Sequence, residues 1–260
     1  DSKLEFTAPA AGTYLVRVGD VRDFGGDRFV YRLVVREPQP DFQVSLADVN
    51  PTVSAGSGRR LTFNAERRDG FDCDITIDLA GLPLGFTVST PLVIQAGHFE
   101  ARAVLLAAAD AAQPPPETWG QVKITARAEV DGRTVEKEVN SLGQVKLAEK
   151  PNLLVRVEPA ELTIAPGTTI TALLKVERNG FDDLVTFDVD NLPHGVIVDN
   201  IGLNGVLIPA GASERQIFLT CAKWVPDIDR RFQALTSNAG GQASPSVTLH
   251  VRRPGALAKE

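Results

Sequence analysis

The chain has 260 residues, 43% of them hydrophobic, and a formal net charge of −6, which suits a globular protein of two domains. No cluster of lysine and arginine offers the positive surface that nucleic acid requires, and no apolar run is long enough for a transmembrane helix. Nucleic-acid binding and membrane insertion are therefore not expected. The chain contains no methionine, even at position 1, which indicates a processed product or a piece of a larger polypeptide with flanking domains.

The first 36 residues alternate apolar and polar side chains in the pattern of β-strands, with turn residues at Pro9–Gly12 and Gly25–Gly26. The predicted strands are Leu4–Thr7, Tyr14–Val18 and Phe29–Val35. Three strands are only marginally stable by themselves, so we expect them to pack on the next domain or to end a larger one.

The residues from Leu4 to Val18, followed by Tyr31-Arg32-Leu33, resemble the closing half of the bacterial pre-peptidase C-terminal domain. That family is a small β-sandwich found at the ends of secreted proteases and in other exported multidomain proteins. The resemblance implies a partial domain of this kind at residues 1–40 of an exported bacterial protein. It also suggests, as one alternative function, a regulatory segment of a secreted protease.

The rest of the chain is organised as a repeat. Residues 70–88 and 180–198 are identical at nine of nineteen positions at a constant spacing of 110. Composition alone would give about one or two such matches, so an internal duplication is indicated. Both copies contain a Gly-Phe-Asp turn, a Leu-Pro-x-Gly element that we interpret as an inter-sheet corner, and an Ala-Gly turn. The second copy has four extra residues at about Gly202–Gly205.

Each copy shows seven short strands with regularly spaced turn signals and no helical period, which predicts an antiparallel β-sandwich. We predict the first repeat at residues 41–149, the second at 150–254 and a flexible tail at 255–260. Proline-containing linkers at Arg36–Pro40 and Ala148–Pro151 favour a stiff, elongated rod.

Both repeats resemble the immunoglobulin-like sandwiches of bacterial surface and secreted proteins, including those appended to glycoside hydrolases. The Gly-Phe-Asp turn, the Leu-Pro-x-Gly element and the Ala-Gly turn carry this resemblance, whereas the Cys-Trp-Cys core of antibody domains is absent. The implied fold class is all-β, with two tandem immunoglobulin-like antiparallel β-sandwiches and an N-terminal β-strand cluster. The implied localisation is extracytoplasmic.

Two cysteines, Cys73 and Cys221, fall on apolar faces of predicted strands and are expected to point into different cores. Both thiols are therefore predicted to be unpaired, buried and inert.

Acidic turns are the candidate metal sites, because oxygen ligands on a glycine-containing turn suit calcium. They comprise Asp69, Asp72 and Asp74, then Asp182, Asp183 and Asp188, and near the N-terminus Asp20, Asp23 and Asp27. The same residue types are preferred in tight turns, and their recurrence in both copies favours a folding role. No metal is predicted.

Stacking on a carbohydrate requires exposed planar side chains, and Trp119 and Trp224 are the candidates for ligand binding. Trp119 follows a proline loop, and Trp224 follows the strand that ends at Cys221. A tryptophan that caps the open end of a sandwich core explains both positions equally well.

No catalytic motif is present. The histidines His98, His194 and His250 have no nucleophile motif beside them, and neither Gly-x-Ser-x-Gly nor His-Glu-x-x-His occurs. We predict no enzyme activity and no cofactor. The predicted function is a structural, adhesion or docking segment that binds a protein partner or its own flanking domains. A carbohydrate-binding accessory module of an exported enzyme, with polysaccharide as its ligand, is the main alternative.

Overall fold

The computed structural model describes residues 3–200 and 205–253, and the chain divides into two compact units, Asp1–Glu37 and Pro38–Glu260. Nearly all regular structure in these residues is β-strand, in sheets that are antiparallel apart from two short parallel pairs, so the predicted all-β fold is confirmed. The tail predicted at residues 255–260 and most of the insertion predicted near Gly202–Gly205 lie outside the described residues.

Residues 3–37 contain no hydrogen-bonded strand, which corrects the predicted N-terminal strand cluster. The chain does turn at Pro9–Gly12, and across this turn the rings of Phe6 and Tyr14 lie 5.1 Å apart. Large apolar side chains stay exposed, Leu15 to 96%. Alternation of apolar and polar side chains does not by itself produce a sheet, because strands must also pair in register, and three short strands are only marginally stable by themselves.

The first sandwich has ten strands along which apolar and polar side chains alternate. They are β1 (Asp41–Leu46), β2 (Thr52–Ser54), β3 (Gly58–Arg68), β4 (Ile75–Ala80), β5 (Phe86–Val88), β6 (Leu92–Ile94), β7 (Glu100–Ala107), β8 (Lys123–Val130), β9 (Arg133–Glu138) and β10 (Lys146–Ala148), with a short helix α1 (Pro116–Trp119). One sheet has the order β1-β3-β7-β5 and the other β6-β4-β8-β9, while β2 pairs with β10 in parallel. Asp131 and Gly132, with φ of 49° and 73°, form the tight β8–β9 hairpin.

The second sandwich repeats this plan. Its strands are β11 (Leu153–Glu158), β12 (Glu161–Ile164), β13 (Thr169–Arg178), β14 (Val185–Asp190), β15 (Val196–Val198), β16 (Val206–Ile208), β17 (Glu214–Cys221), β18 (Ile228–Thr236), β19 (Gln242–Ala243) and β20 (Val247–Val251), with a 3-10 turn at Asn238–Gly240. One sheet has the order β11-β13-β17-β15. The other has the order β16-β14-β18-β20-β12, in which β12 and β20 are parallel.

Each sandwich buries a hydrophobic cluster of its own between its two sheets. Phe42, Phe63 and Trp119 are at most 1% exposed in the first cluster, and Phe187 and Phe232 are equally buried in the second. Burial of one such side chain contributes about 1.5–3 kcal/mol. Both repeats therefore have a core large enough to hold their sheets together.

The Leu-Pro-x-Gly element connects the two sheets of each sandwich, as predicted. In the first sandwich β4 belongs to one sheet and β5 to the other, and Gly85 between them has a φ of 84°. In the second sandwich Gly195 has a φ of 88° at the equivalent corner. The glycine is required because other residues rarely adopt this left-handed conformation.

The two sandwiches meet side by side at a junction formed by β3 and β7 of the first and β14, β18 and β19 of the second. Ala243 of β19 pairs with Gly58 of β3 in the antiparallel sense. A Cβ atom on Gly58 would lie 2.5 Å from Val104 Cγ1 and 2.7 Å from the Ala243 oxygen, so the backbones approach as closely as glycine permits. This junction corrects the predicted elongated rod, because the stiffness of a linker does not determine which faces pack.

Candidate functional site

Arg67, at the end of β3, is buried beneath the turns of the first sandwich, with 6% of its side chain exposed. Its Nε donates to the carbonyl oxygen of His98 at 2.9 Å. Its Nη1 and Nη2 donate to the carbonyl oxygens of Cys73 at 2.6 Å and Gln95 at 2.8 Å. One guanidinium therefore ties the Gly-Phe-Asp turn to the Ala-Gly turn.

Arg178 of β13 makes the same connection in the second sandwich, donating to the carbonyl oxygens of Ala212 at 2.8 Å, Asp183 at 2.7 Å and Pro209 at 2.9 Å. Sequence comparison at a spacing of 110 misses this pair, because Arg67 precedes its glycine by three residues and Arg178 precedes its glycine by two. Recurrence in both sandwiches indicates that this arginine clamp serves folding.

The acidic side chains of the first Gly-Phe-Asp turn bind the same Ala-Gly turn. Asp72 Oδ1 accepts from the backbone nitrogen of Gly97 at 2.6 Å, and Asp74 Oδ1 accepts from that of Ala96 at 2.7 Å. Among the described residues no group of three or more histidine, cysteine, aspartate or glutamate side chains could hold a metal ion. These two carboxylates act as acceptors that hold a neighbouring turn.

The two cysteines differ in environment. Cys221 of β17 is 1% exposed, and burial raises the pKa of its thiol. Cys73 is exposed, contrary to the prediction, because it lies in the turn before β4, where strand alternation does not yet apply. Phe71 fills the core beside this turn with 5% exposure. Both thiols are free, as predicted.

The two candidate tryptophans lie in different places. Trp119 of α1 is 1% exposed and packs edge-on against Phe86 with ring centroids 5.0 Å apart, so its ring has no face open to a ligand. Trp224 is 59% exposed and lies over Gly195, where an added Cβ would be 2.7 Å from Trp224 Cη2. Only Trp224 retains the exposure that carbohydrate stacking requires.

Trp224 belongs to a group of three ring side chains at the rim of the junction. The rings of His194 and Trp224 lie 5.1 Å apart, and His194 is also 5.1 Å from His98 of the first sandwich, measured between ring centroids. Gln95 anchors the backbone of both histidines. Its carbonyl oxygen accepts from the backbone nitrogen of His98 at 3.0 Å, and its Oε1 accepts from the backbone nitrogen of His194 at 3.3 Å. The sandwiches thus bring together rings that are distant in sequence.

Charged and polar groups are buried inside the junction. Asp190 of β14 is 8% exposed, accepts from Arg102 Nη1 of β7 at 2.6 Å and lies 3.6 Å from Arg60 Nη1. Burial opposes the charged form of Arg102, but the charges and hydrogen bonds of Asp190 and Glu100 together outweigh this and raise the pKa of the guanidinium. The fully buried Gln233 of β18 donates from Nε2 to the Arg102 carbonyl oxygen at 3.2 Å.

An open cleft of about 430 Å³ lies at the other side of the junction. Here Ser57 Oγ donates to Gln242 Oε1, and Arg59 Nη1 donates to the Gly240 oxygen at 3.3 Å. The lining combines loop residues with residues of β2, β3 and β19 and includes no aromatic side chain. The cleft therefore lacks the stacking surface that sugar recognition uses.

No known protein family matches the chain, and no curated protein is significantly similar to it in sequence. Among solved structures, domains 4 and 5 of the S-layer protein SbsC are similar at 16% identity and a TM-score of 0.29, over 49% of this chain and 64% of that chain. The D0-D1 domain of Intimin matches at 14% identity and a TM-score of 0.28, over 80% of this chain and 97% of that one.

The adhesin InvE of Yersinia pseudotuberculosis matches at 13% identity and a TM-score of 0.26, over 86% of this chain and 61% of that one. The assignment of two immunoglobulin-like sandwiches therefore rests on the strand order described above. Within the described residues, no helix has the length and hydropathy needed to cross a bilayer.

Both histidines at the rim of the junction stand where the other repeat has an apolar residue. His98 occupies the position of Ala212, as the matching arginine bonds show, and His194 occupies the position of Leu84. Shared positions of a duplication are expected to encode the fold, so the differing ones are better candidates for function. Exposed positions at which the two repeats differ are therefore the sequence signal that points to His98, His194 and Trp224 together.

Proposed function

We propose that the chain is a non-catalytic structural or docking segment of a secreted or cell-surface bacterial protein, in which two immunoglobulin-like sandwiches act as one rigid body. The buried polar junction is the observation that carries this proposal. Asp190 and Gln233 are buried, and each is paired with a group of Arg102 in the other sandwich, so a packing that buried them at another angle would lose these partners. A junction of this kind favours one angle between the sandwiches.

A fixed angle suits a segment that holds flanking domains or a protein partner at a set distance and orientation. The resemblance of both repeats to immunoglobulin-like sandwiches of bacterial surface and secreted proteins supports the extracytoplasmic location. The histidines support a non-catalytic role. His250 is bonded to Asp229, the other two contact each other, and within the described residues no hydrogen bond joins any of them to a serine or cysteine side chain.

Spin labels on the two sandwiches test the rigid-body proposal. One label is attached to the exposed Cys73 and the other to Gln216→Cys on the exposed face of β17, with Cys221→Ala removing the buried thiol. Pulsed electron paramagnetic resonance should give one narrow distance distribution, because the junction restricts the angle between sandwiches. A broad or multiple distribution in the unperturbed chain would contradict the proposal.

A carbohydrate-binding module is the second candidate, and the exposed ring of Trp224 favours it. If this candidate holds, Trp224→Ala should abolish retention of the chain on immobilised polysaccharide, because the stacking surface is lost. Phe99→Ala provides a matched control, since Phe99 is also exposed, to 64%, and lies next to His98. Retention that Trp224→Ala leaves unchanged would exclude Trp224 as the stacking residue.

A further inference from the structure

The contact between His98 and His194 has the dimensions of a metal chelate. Their ring centroids are 5.1 Å apart. A tetrahedral ion bound by two imidazole nitrogens at about 2.0–2.1 Å lies about 3.2 Å from each ring centroid, which places the two centroids about 5 Å apart. The rings are now edge to face, with 66° between their planes, so rotation of the side chains would turn a nitrogen of each toward a shared ion.

The backbone positions of both histidines are fixed, whereas their rings are free to bind. Arg67 and Gln95 hold His98 through its backbone, and Gln95 Oε1 holds His194 through its backbone nitrogen. Neither imidazole forms a hydrogen bond within residues 3–200 and 205–253. His194 is exposed and His98 half-buried, so solvent can supply the remaining ligands.

The charges around this pair are compatible with a cation. Asp72 and Asp74 lie on the Gly-Phe-Asp turn that packs against the Ala-Gly turn carrying His98, and their carboxylates accept from the backbone nitrogens of Gly97 and Ala96. They are therefore not expected to be ligands. Their two negative charges offset the positive charges of Arg67, which lies 3.8 Å from Asp72, and of the buried Arg230, which interacts with Asp74. Nothing in the fold requires a histidine at either position, since the other repeat has Ala212 and Leu84 there.

We propose that His98 and His194 form a binding site for a divalent transition-metal ion, Zn²⁺ or Cu²⁺, that bridges the two sandwiches. Imidazole is a preferred ligand of these ions, and water would complete the coordination. Because one ligand comes from each sandwich, the bound ion stabilises the junction from its rim. The inference does not depend on the role proposed for the chain, since it concerns only these two side chains.

Copper titration of the whole chain tests this site. Trp224 is 5.1 Å from His194, so Cu²⁺ should quench its fluorescence with a saturable, one-to-one dependence, while the buried Trp119 contributes a component that is not quenched. Trp224→Phe should remove the quenchable component. Zn²⁺ should raise the thermal unfolding midpoint of the unmodified chain, because it binds the folded junction only.

Three histidines in the chain allow a matched set of variants. His98→Ala and His194→Ala should each abolish the saturable quenching and the effect of Zn²⁺, whereas His250→Ala, which removes a ring bonded to Asp229, should preserve both. Circular dichroism checks that each variant is folded. Absence of saturable quenching in the unmodified chain overturns the proposal. Loss of binding in only one of His98→Ala and His194→Ala also overturns it, because a single imidazole would then suffice.

Discussion

Replacing Arg67 with methionine should lower the free energy of unfolding by about 2–4 kcal/mol. Methionine retains an aliphatic side chain but donates no hydrogen bond, so the carbonyl oxygens of Cys73, Gln95 and His98 lose their shared donor. A hydrogen bond from a charged group contributes about 1.5–3 kcal/mol, and partial hydration of the turn keeps the total below the sum of three. Urea unfolding followed by circular dichroism measures the change.

Arg68→Met is the matched control for this experiment. Arg68 is the next residue of the same strand, but it is exposed and pairs with Glu66 at 2.9 Å on the surface, so its loss should hardly change stability. Arg67→Lys should behave like the methionine variant, because one ammonium group cannot reach three carbonyl oxygens. If Arg67→Met were no less stable than Arg68→Met, the clamp would not stabilise the fold.

Replacing Asp190 with alanine should uncouple the two sandwiches and lower the free energy of unfolding by about 2–3 kcal/mol. The substitution leaves Arg102 Nη1 without the partner that lies 2.6 Å away and removes the negative charge beside Arg60. The distribution of spin-label distances between the sandwiches should broaden, because the buried ion pair between Asp190 and Arg102 no longer restricts their angle. Urea unfolding should lose its single cooperative transition.

Asp188→Ala separates this effect from a general loss of negative charge on β14. Asp188 lies two residues before Asp190 on the same strand but is exposed, so its removal should leave both the distance distribution and the unfolding transition unchanged. Identical behaviour of the Asp188 and Asp190 variants would show that the buried ion pair does not set the geometry of the junction.

Strand alternation and turn chemistry predict most of each sandwich, because these signals are local. Asp131-Gly132 and the Leu-Pro-x-Gly elements adopt the positive φ values that their residue types favour, and the hairpin and corners form as expected. Cys73 does not follow the alternation of β4, because it lies in the turn before this strand begins at Ile75. The arginine clamp was missed because a one-residue shift separates its two copies.

The junction could not be predicted, since its contacts join residues that look like ordinary surface positions. Gln233 stands between Phe232 and Ala234 and has the pattern of a solvent-facing residue, yet it is fully buried against the other sandwich. Arg102 and Asp190 are 88 residues apart, and no local signal links them. The burial of Trp119 could not be predicted from the sequence either, because the ring that packs against it belongs to Phe86, which is distant in the chain.

The parallel strand pairs have a consequence for mechanical load. β2 is the second strand of the first sandwich and β10 its last, and β12 and β20 stand in the same relation in the second. A pulling force on the two ends of a sandwich drags such parallel strands in opposite directions, so their bridging hydrogen bonds are sheared together and are not opened one after another. The β12–β20 pair has four paired positions and the β2–β10 pair has three, so the second sandwich should withstand the greater tension.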